Sequence, residues 1–157
     1  MSYRELIAGT GELLGIPGML PDDTGDVTIS DGAITVVIGH DEAPDRVTVR
    51  GRVGPVPEYC GGGLYRMLLS ANLRPEEMKG AALAIDADSG DIFLSRRDRV
   101  EGLPVEVFAG LLQDFVNALA RFRADVEAFA RFSEETGRSA GEPPAKPSPG
   151  SEMIIKG

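Results

Sequence analysis

The chain has 157 residues, 42% of them hydrophobic, and no uninterrupted apolar run approaches the roughly 18 residues that read as a membrane span. Its 25 acidic and 16 basic side chains leave a net charge of −9, which argues against nucleic acid or an anionic membrane as the main partner. The single cysteine, Cys60, has no internal partner for a disulfide, and no charged-then-apolar N-terminal pattern reads as a secretory signal, so a cytoplasmic location is expected.

Ser2-Tyr3-Arg4-Glu5 has the form of a capping box, with Ser2 as N-cap and Glu5 reaching back. Tyr3, Leu6, Ile7, Thr10, Leu13 and Leu14 then fall on one helical face. Gly9 and Gly11 each cost about 1 kcal/mol relative to alanine inside a helix, so packing rather than propensity must hold this first helix. Gly15 and Pro17 end it. Two β-rich runs follow, Val27 to Ser30 and Ala33 to Ile38, joined at Asp31-Gly32, a strong short-range hairpin signal. Arg46 to Val53 alternates polar and apolar residues, predicting a third strand with Val47, Val49 and Val53 on one side and Arg46, Arg50 and Arg52 around it. Residues 1–61 carry ten acidic and four basic side chains, so the acidic surplus is concentrated here.

After the glycines 61–63, read as a loop, a short helix is predicted from about Leu64 to Asn72, interrupted by Arg74-Pro75-Glu76-Glu77. Ala81 to Ile85 and Ile92 to Leu94 are two further strands around an Asp86–Asp91 turn. The continuous apolar run of the first predicts a strand buried on both faces. Pro104 sits where a first-turn proline belongs. From there to Phe132, Phe108, Leu112, Phe115, Leu119, Phe122, Val126 and Phe129 recur at alternating spacings of four and three. This stripe predicts a long helix lying on a sheet; a coiled-coil seam to another chain is the alternative. From residue 133 the glycines and prolines predict a flexible tail, although its end, Met153-Ile154-Ile155, is apolar. The order is helix, three strands, helix, two strands, long helix: an α+β fold with an antiparallel sheet packed by helices, in a single domain over residues 1–132 with a tail over 133–157.

Sites for chemistry are not visible. Gly9, Gly11 and Gly15 lack a preceding strand, and Cys60-Gly61-Gly62-Gly63 is not followed by the Gly-Lys-Ser/Thr of a phosphate loop. Asp86-x-Asp88-x-Gly90 resembles a calcium loop, but its glycine comes one residue early and Arg97 stands where the closing glutamate belongs. His40, the one histidine, reads as a solvated turn residue, and Cys60 has no base nearby in sequence. No enzymatic activity, cofactor or metal is expected.

Leu68-Leu69-Ser70-Ala71-Asn72-Leu73, then Ala82 to Asp86 with Ser89-Gly90, then Ile92 to Arg97, then the phenylalanine-striped helix, occur in an order that resembles the class I type III secretion chaperones, the Tir chaperone family. The N-terminal helix and the Asp31-Gly32 hairpin fit as well, so the resemblance covers residues 2–131. It implies a bacterial cytoplasmic homodimer that binds the N-terminal segment of a secreted effector and keeps it soluble and export-competent. The secretion apparatus ATPase is a further implied partner, with no nucleic acid and no membrane insertion. By position, Leu64, Met67, Leu68, Leu83 and Ile85 are expected at the dimer interface. Leu6, Ile7, Leu13, Leu14, Val27, Ile29, Ile34, Val36, Ile38, Val47 and Val49 are expected to frame the effector grooves. The alternative is a YbjN-like regulatory interaction module of similar fold, not linked to export.

Overall fold

The computed structural model describes residues 1–58 and 60–140, with side chains as far as residue 136. Its elements are α1 (Tyr3–Leu14), β1 (Val27–Asp31), β2 (Ile34–Glu42), β3 (Asp45–Pro55), α2 (Gly61–Asn72), α3 (Pro75–Met78), β4 (Ala81–Ile85), β5 (Asp91–Arg99) and α4 (Val105–Ala140). The strands form one antiparallel sheet in the order β1-β2-β3-β5-β4. The α+β order read from the sequence is present, with the single-turn α3 as an addition. Because β5 lies between β3 and β4, the two sheet edges belong to the short strands β1 and β4.

Local chemistry sets these elements. The Glu5 N–H donates to the Ser2 hydroxyl at 3.3 Å, and the Ser2 N–H donates to Glu5 Oε2 at 2.7 Å, completing the capping box. Those Ser2 donors hold the Glu5 carboxyl below the usual carboxylate range. Asp31 pairs with Ile34, so the first hairpin turns on Gly32-Ala33, one residue later than the Asp31-Gly32 reading. Gly32 at φ 58° supplies the positive φ that the first central position of a type II′ turn requires. Between β4 and β5 the Asp86 carboxylate accepts from the Asp88 N–H and the Ser89 hydroxyl, and the Gly90 N–H donates to the Asp86 carbonyl. That closes the turn as an ordinary hairpin.

One face of the sheet carries the core. Val36, Ile38, Val47, Val49, Val53, Ile92 and Leu94 pack with Leu6 and Ile7 of α1 and with Phe108, Leu112, Phe115, Leu119, Phe122 and Val126 of α4. Each such side chain contributes about 1.5–3 kcal/mol on full burial. The long stripe is thus spent within the protomer, and no coiled-coil seam is left on it. Gly51 explains how close α4 comes: a Cβ there would overlap Leu119 Cδ2. The α1 glycines serve the same end. A Cβ at Gly11 would stand 2.6 Å from Met19 Cβ, and one at Gly9 would stand 3.0 Å from Val105 Cγ2.

Three boundaries differ from the sequence reading. The second helix begins at Gly61 rather than near Leu64, because bare backbone at Gly63 admits the Phe129 ring, whose Cζ would lie 3.1 Å from a Cβ. The last helix runs past Phe132 to Ala140, over a stretch read as tail; the Ser133-Glu134-Glu135 segment holds no helix breaker. Residues 141–157, including Met153-Ile154-Ile155, lie outside the described residues. The third difference is β4, where only Leu83 is buried. Its apolar run reflects an edge position with one covered face, not burial on both.

Candidate protein-binding surfaces

Two surfaces stand out, one at each edge of the sheet. The first lies beside β1, which among the described residues pairs only with β2. A concavity of about 590 Å³ runs along the C-terminal half of α1 and the following loop, lined by Ala8, Gly11, Glu12, Ile16, Pro17 and Leu20. A second of about 500 Å³ continues it past Ile16 and Leu20 to Asp22, Asp26, Thr28 and Ile29 on β1. The loop between them is held by Asp22, whose carboxylate accepts from the Thr24 hydroxyl at 2.6 Å and from the N–H groups of Thr24 and Asp26. These donors, the Thr24 hydroxyl first, keep the Asp22 carboxyl below the usual range, so the rim stays anionic.

The structure separates the residues expected to frame this groove. Leu6, Ile7, Val27, Val36, Ile38, Val47 and Val49 are buried in the core and offer no surface to a ligand in this protomer. In this protomer their side chains serve the fold. Leu14, Ile29 and Ile34 are half-buried against the core, and Leu13 is 56% exposed. Ile16, Pro17 and the exposed Leu20, which line the concavity, were missed because they sit in a loop with no periodicity to flag them. Their signal was an apolar loop between α1 and the acidic Asp22–Asp26 turn.

The second surface is α2 with β4. Leu64, Leu68 and Leu83, expected at a dimer interface, face inward to the protomer's own core, and Met67 is half-buried there. Ile85, expected there as well, is exposed. The outward stripe consists instead of Tyr65 and Leu69 of α2 and Leu73 just past its end, spaced by four, with Leu69 68% and Leu73 84% exposed. Asn72 ties this helix to the strand: its side-chain amide donates to the Leu83 carbonyl at 3.0 Å and its amide oxygen accepts from the Leu83 N–H at 2.8 Å. The helix therefore stands where a further strand would otherwise pair.

Neither surface carries the geometry of a reaction centre. His40 lies on β2 rather than in a turn. It stacks on the Tyr3 ring with centroids 4.5 Å apart and planes within 4°, its Nε2 2.6 Å from Asp45 Oδ1. The Tyr3 hydroxyl donates to the Ile38 carbonyl at 3.1 Å, and burial, with Asp26 and Asp22 nearby, pushes its pKa up to about 12. This is a brace between α1 and the sheet. Cys60 is a half-buried free thiol. Among the described residues no group of three or more His, Cys, Asp or Glu side chains converges as a metal site, and no helix is long and apolar enough to cross a membrane.

Comparison with known structures agrees with the fold. The chain is similar to a chain of the HopA1-SchA chaperone-effector complex, with 21% identity and a TM-score of 0.66, over 78% of this chain and 93% of that one. It is similar to a chain of the complex of the Yersinia pestis type III secretion chaperone SycH with a stable fragment of YscM2, with 17% identity and a TM-score of 0.62, over 77% and 99%. It is also similar to a chain of the heterodimeric ExoU-SpcU complex from the type III secretion system of Pseudomonas aeruginosa, with 16% identity and a TM-score of 0.60, over 78% and 95%. Comparison with curated protein sequences finds no match. The model of the Tir chaperone protein (CesT) family matches residues 5–123, from α1 through most of α4. The chain belongs to the Tir chaperone protein (CesT) family.

Proposed function

We propose that this chain is a type III secretion chaperone that binds the N-terminal segment of a secreted effector and keeps it soluble and export-competent. The observation that carries the reading is the family match over residues 5–123. The similar solved chains, which occur in the HopA1-SchA chaperone-effector complex and in the complex of SycH with a fragment of YscM2, support it. The protein acts by binding, without catalysis. The effector segment lies extended along the open edge of β1, where main-chain groups take up an added strand. Ile16, Leu20 and Ile29 receive its apolar side chains in the adjoining concavities. The protomers pair through the Tyr65-Leu69-Leu73 stripe and Ile85, since exposed apolar side chains clustered at this density mark a protein contact.

The test is co-expression with the products of neighbouring genes, followed by co-purification and light scattering. The expected result is a stable dimer of this chain holding the N-terminal segment of one of those products, which is insoluble when expressed alone. Replacing Ile16 and Leu20 by Asp should weaken that complex by about tenfold or more, as loss of two apolar anchors implies. A monomer that retains no such segment would overturn the reading.

A further inference from the structure

The sheet has a second face, opposite the core, that no helix covers among the described residues. Alternation along β3 sends Arg46, Thr48, Arg50 and Arg52 to this face, because Val47, Val49 and Val53 take the other. Along β5 it sends Phe93, Ser95, Arg97 and Arg99 outward, because Ile92, Leu94 and Arg96 point to the core side. Five of the chain's 16 basic residues thus stand on one face of two adjacent strands, in a protein whose net charge is −9. The register sets Arg46 directly opposite Arg99 and Thr48 opposite Arg97, with Arg50 diagonal to Arg97. Like charges placed across a strand pair destabilise the sheet.

Only one of the five makes an ion pair among the described residues, although Arg46 has Asp41 opposite it on β2. Arg52 makes a two-pronged pair with Asp91 at 2.6 and 3.1 Å. Arg46, Arg50, Arg97 and Arg99 form no ion pair among the described residues. By contrast the buried Arg96, on the core side, is held by Asp98 and by the Lys79 carbonyl. Arg50 and Arg97 border a depression of about 290 Å³ floored by Val37, Gly39 and Thr48, with Asp26 and Asp41 at its rim. Next to it Phe93 and Ala84 border another of about 280 Å³.

We propose that this face docks an acidic, extended segment of a partner protein, bound through Arg46, Arg50, Arg97 and Arg99. Outward side chains two residues apart on a strand lie about 6.8 Å from each other, the same repeat at which an extended peptide presents alternate side chains. Carboxylates at alternate positions meet the arginines, and the side chains between them point away from the sheet. The guanidinium fork favours carboxylate over a point contact. Residues 141–157 hold two glutamates and two lysines, so the chain's own C-terminal segment lacks the charge to fill this role. A long polyanion such as nucleic acid is disfavoured by the net charge of −9. This surface is separate from the β1 edge and the α2 stripe, and the inference stands whether or not those bind an effector and a second protomer.

The experiment is fluorescence anisotropy on the full chain with three labelled probes: an alternating Glu-Val peptide, an alternating Lys-Val peptide and oligothymidylate. The Glu-Val peptide should bind, and its affinity should fall about tenfold or more in the Arg50→Gln/Arg97→Gln double variant, as expected for losing two charge-assisted contacts. Arg131→Gln, an exposed arginine on α4, should leave it unchanged. Circular dichroism melting confirms that each variant is folded, and Arg50→Gln and Arg97→Gln singly give the same reading should the pair melt early. Equal binding by the double variant, preference for the Lys-Val peptide or tighter binding of oligothymidylate would each overturn the proposal. So would a dimer that falls apart in the double variant, which would assign the face to a second copy of this chain.

Discussion

Asn72 and Leu83 are joined by two hydrogen bonds, one in each direction, between a side-chain amide at the end of α2 and the main chain of β4. An amide offers the same donor and acceptor pair as a peptide unit, so one side chain substitutes for a neighbouring strand at that point. Replacing it leaves a part-buried N–H and carbonyl without partners.

Asn72→Ala should therefore lower stability by about 1–3 kcal/mol, the cost of leaving such groups unsatisfied. Urea denaturation measures the loss, and hydrogen exchange at the Leu83 amide should accelerate in the same variant. A variant as stable as the parent, with slow exchange at Leu83, would contradict this role.

Residues of α2 that look alike in sequence should behave differently. Leu69→Glu with Leu73→Glu, on the exposed stripe, should leave the melting temperature of the protomer nearly unchanged while converting a dimer to monomer in sedimentation analysis. Leu68→Ala, from the buried face, should instead cost about 2–5 kcal/mol of stability.

At the centre of the sheet, Gly51→Ala should destabilise by about 1–3 kcal/mol, since its methyl would meet Leu119 Cδ2 on α4. Combined with Leu119→Ala, the loss in thermal denaturation should be smaller than the sum of the two single losses, because the second change opens the space that the first one fills.

Tyr3 gives a pH dependence with a definite sign. Its pKa is raised from 10.0 to about 12 by burial first and by Asp26 and Asp22 second. Below pH 10 the phenol is neutral in both folded and unfolded chains. Between pH 10 and about 12 the unfolded chain releases the proton first, so stability falls as pH rises through this window. Tyr3→Phe should flatten that part of the stability profile, read from urea midpoints. It should also lower stability near neutrality by about 1 kcal/mol through loss of the bond to the Ile38 carbonyl.

Much of the fold was legible because it rests on local rules. Ser2 and Glu5 announce the first helix, the alternation of Arg46 to Val53 announces β3, and the Phe108–Val126 rhythm announces the helix that covers it. The surfaces were harder to read for a physical reason. In α2, Leu64 and Leu68 form one apolar stripe while Tyr65, Leu69 and Leu73 form another, so the sequence gives the helix without its rotation. In the strands, one alternating pattern describes both a core face and a ligand-facing groove; packing by α1 and α4 decided that Val36, Ile38, Val47 and Val49 are core. Gly9, Gly11 and Gly51 look like weak points until the atoms of Val105, Met19 and Leu119 are seen pressed against them.

The two ends of the sheet differ in valency. A unit that can grow at both ends builds a filament; a unit that can grow at one end stops after a single addition. At β4, Asn72 closes the main-chain groups of Leu83, while β1 remains open. Among the described residues the sheet therefore offers one open edge, at β1, while at Leu83 the β4 edge is closed to an added strand.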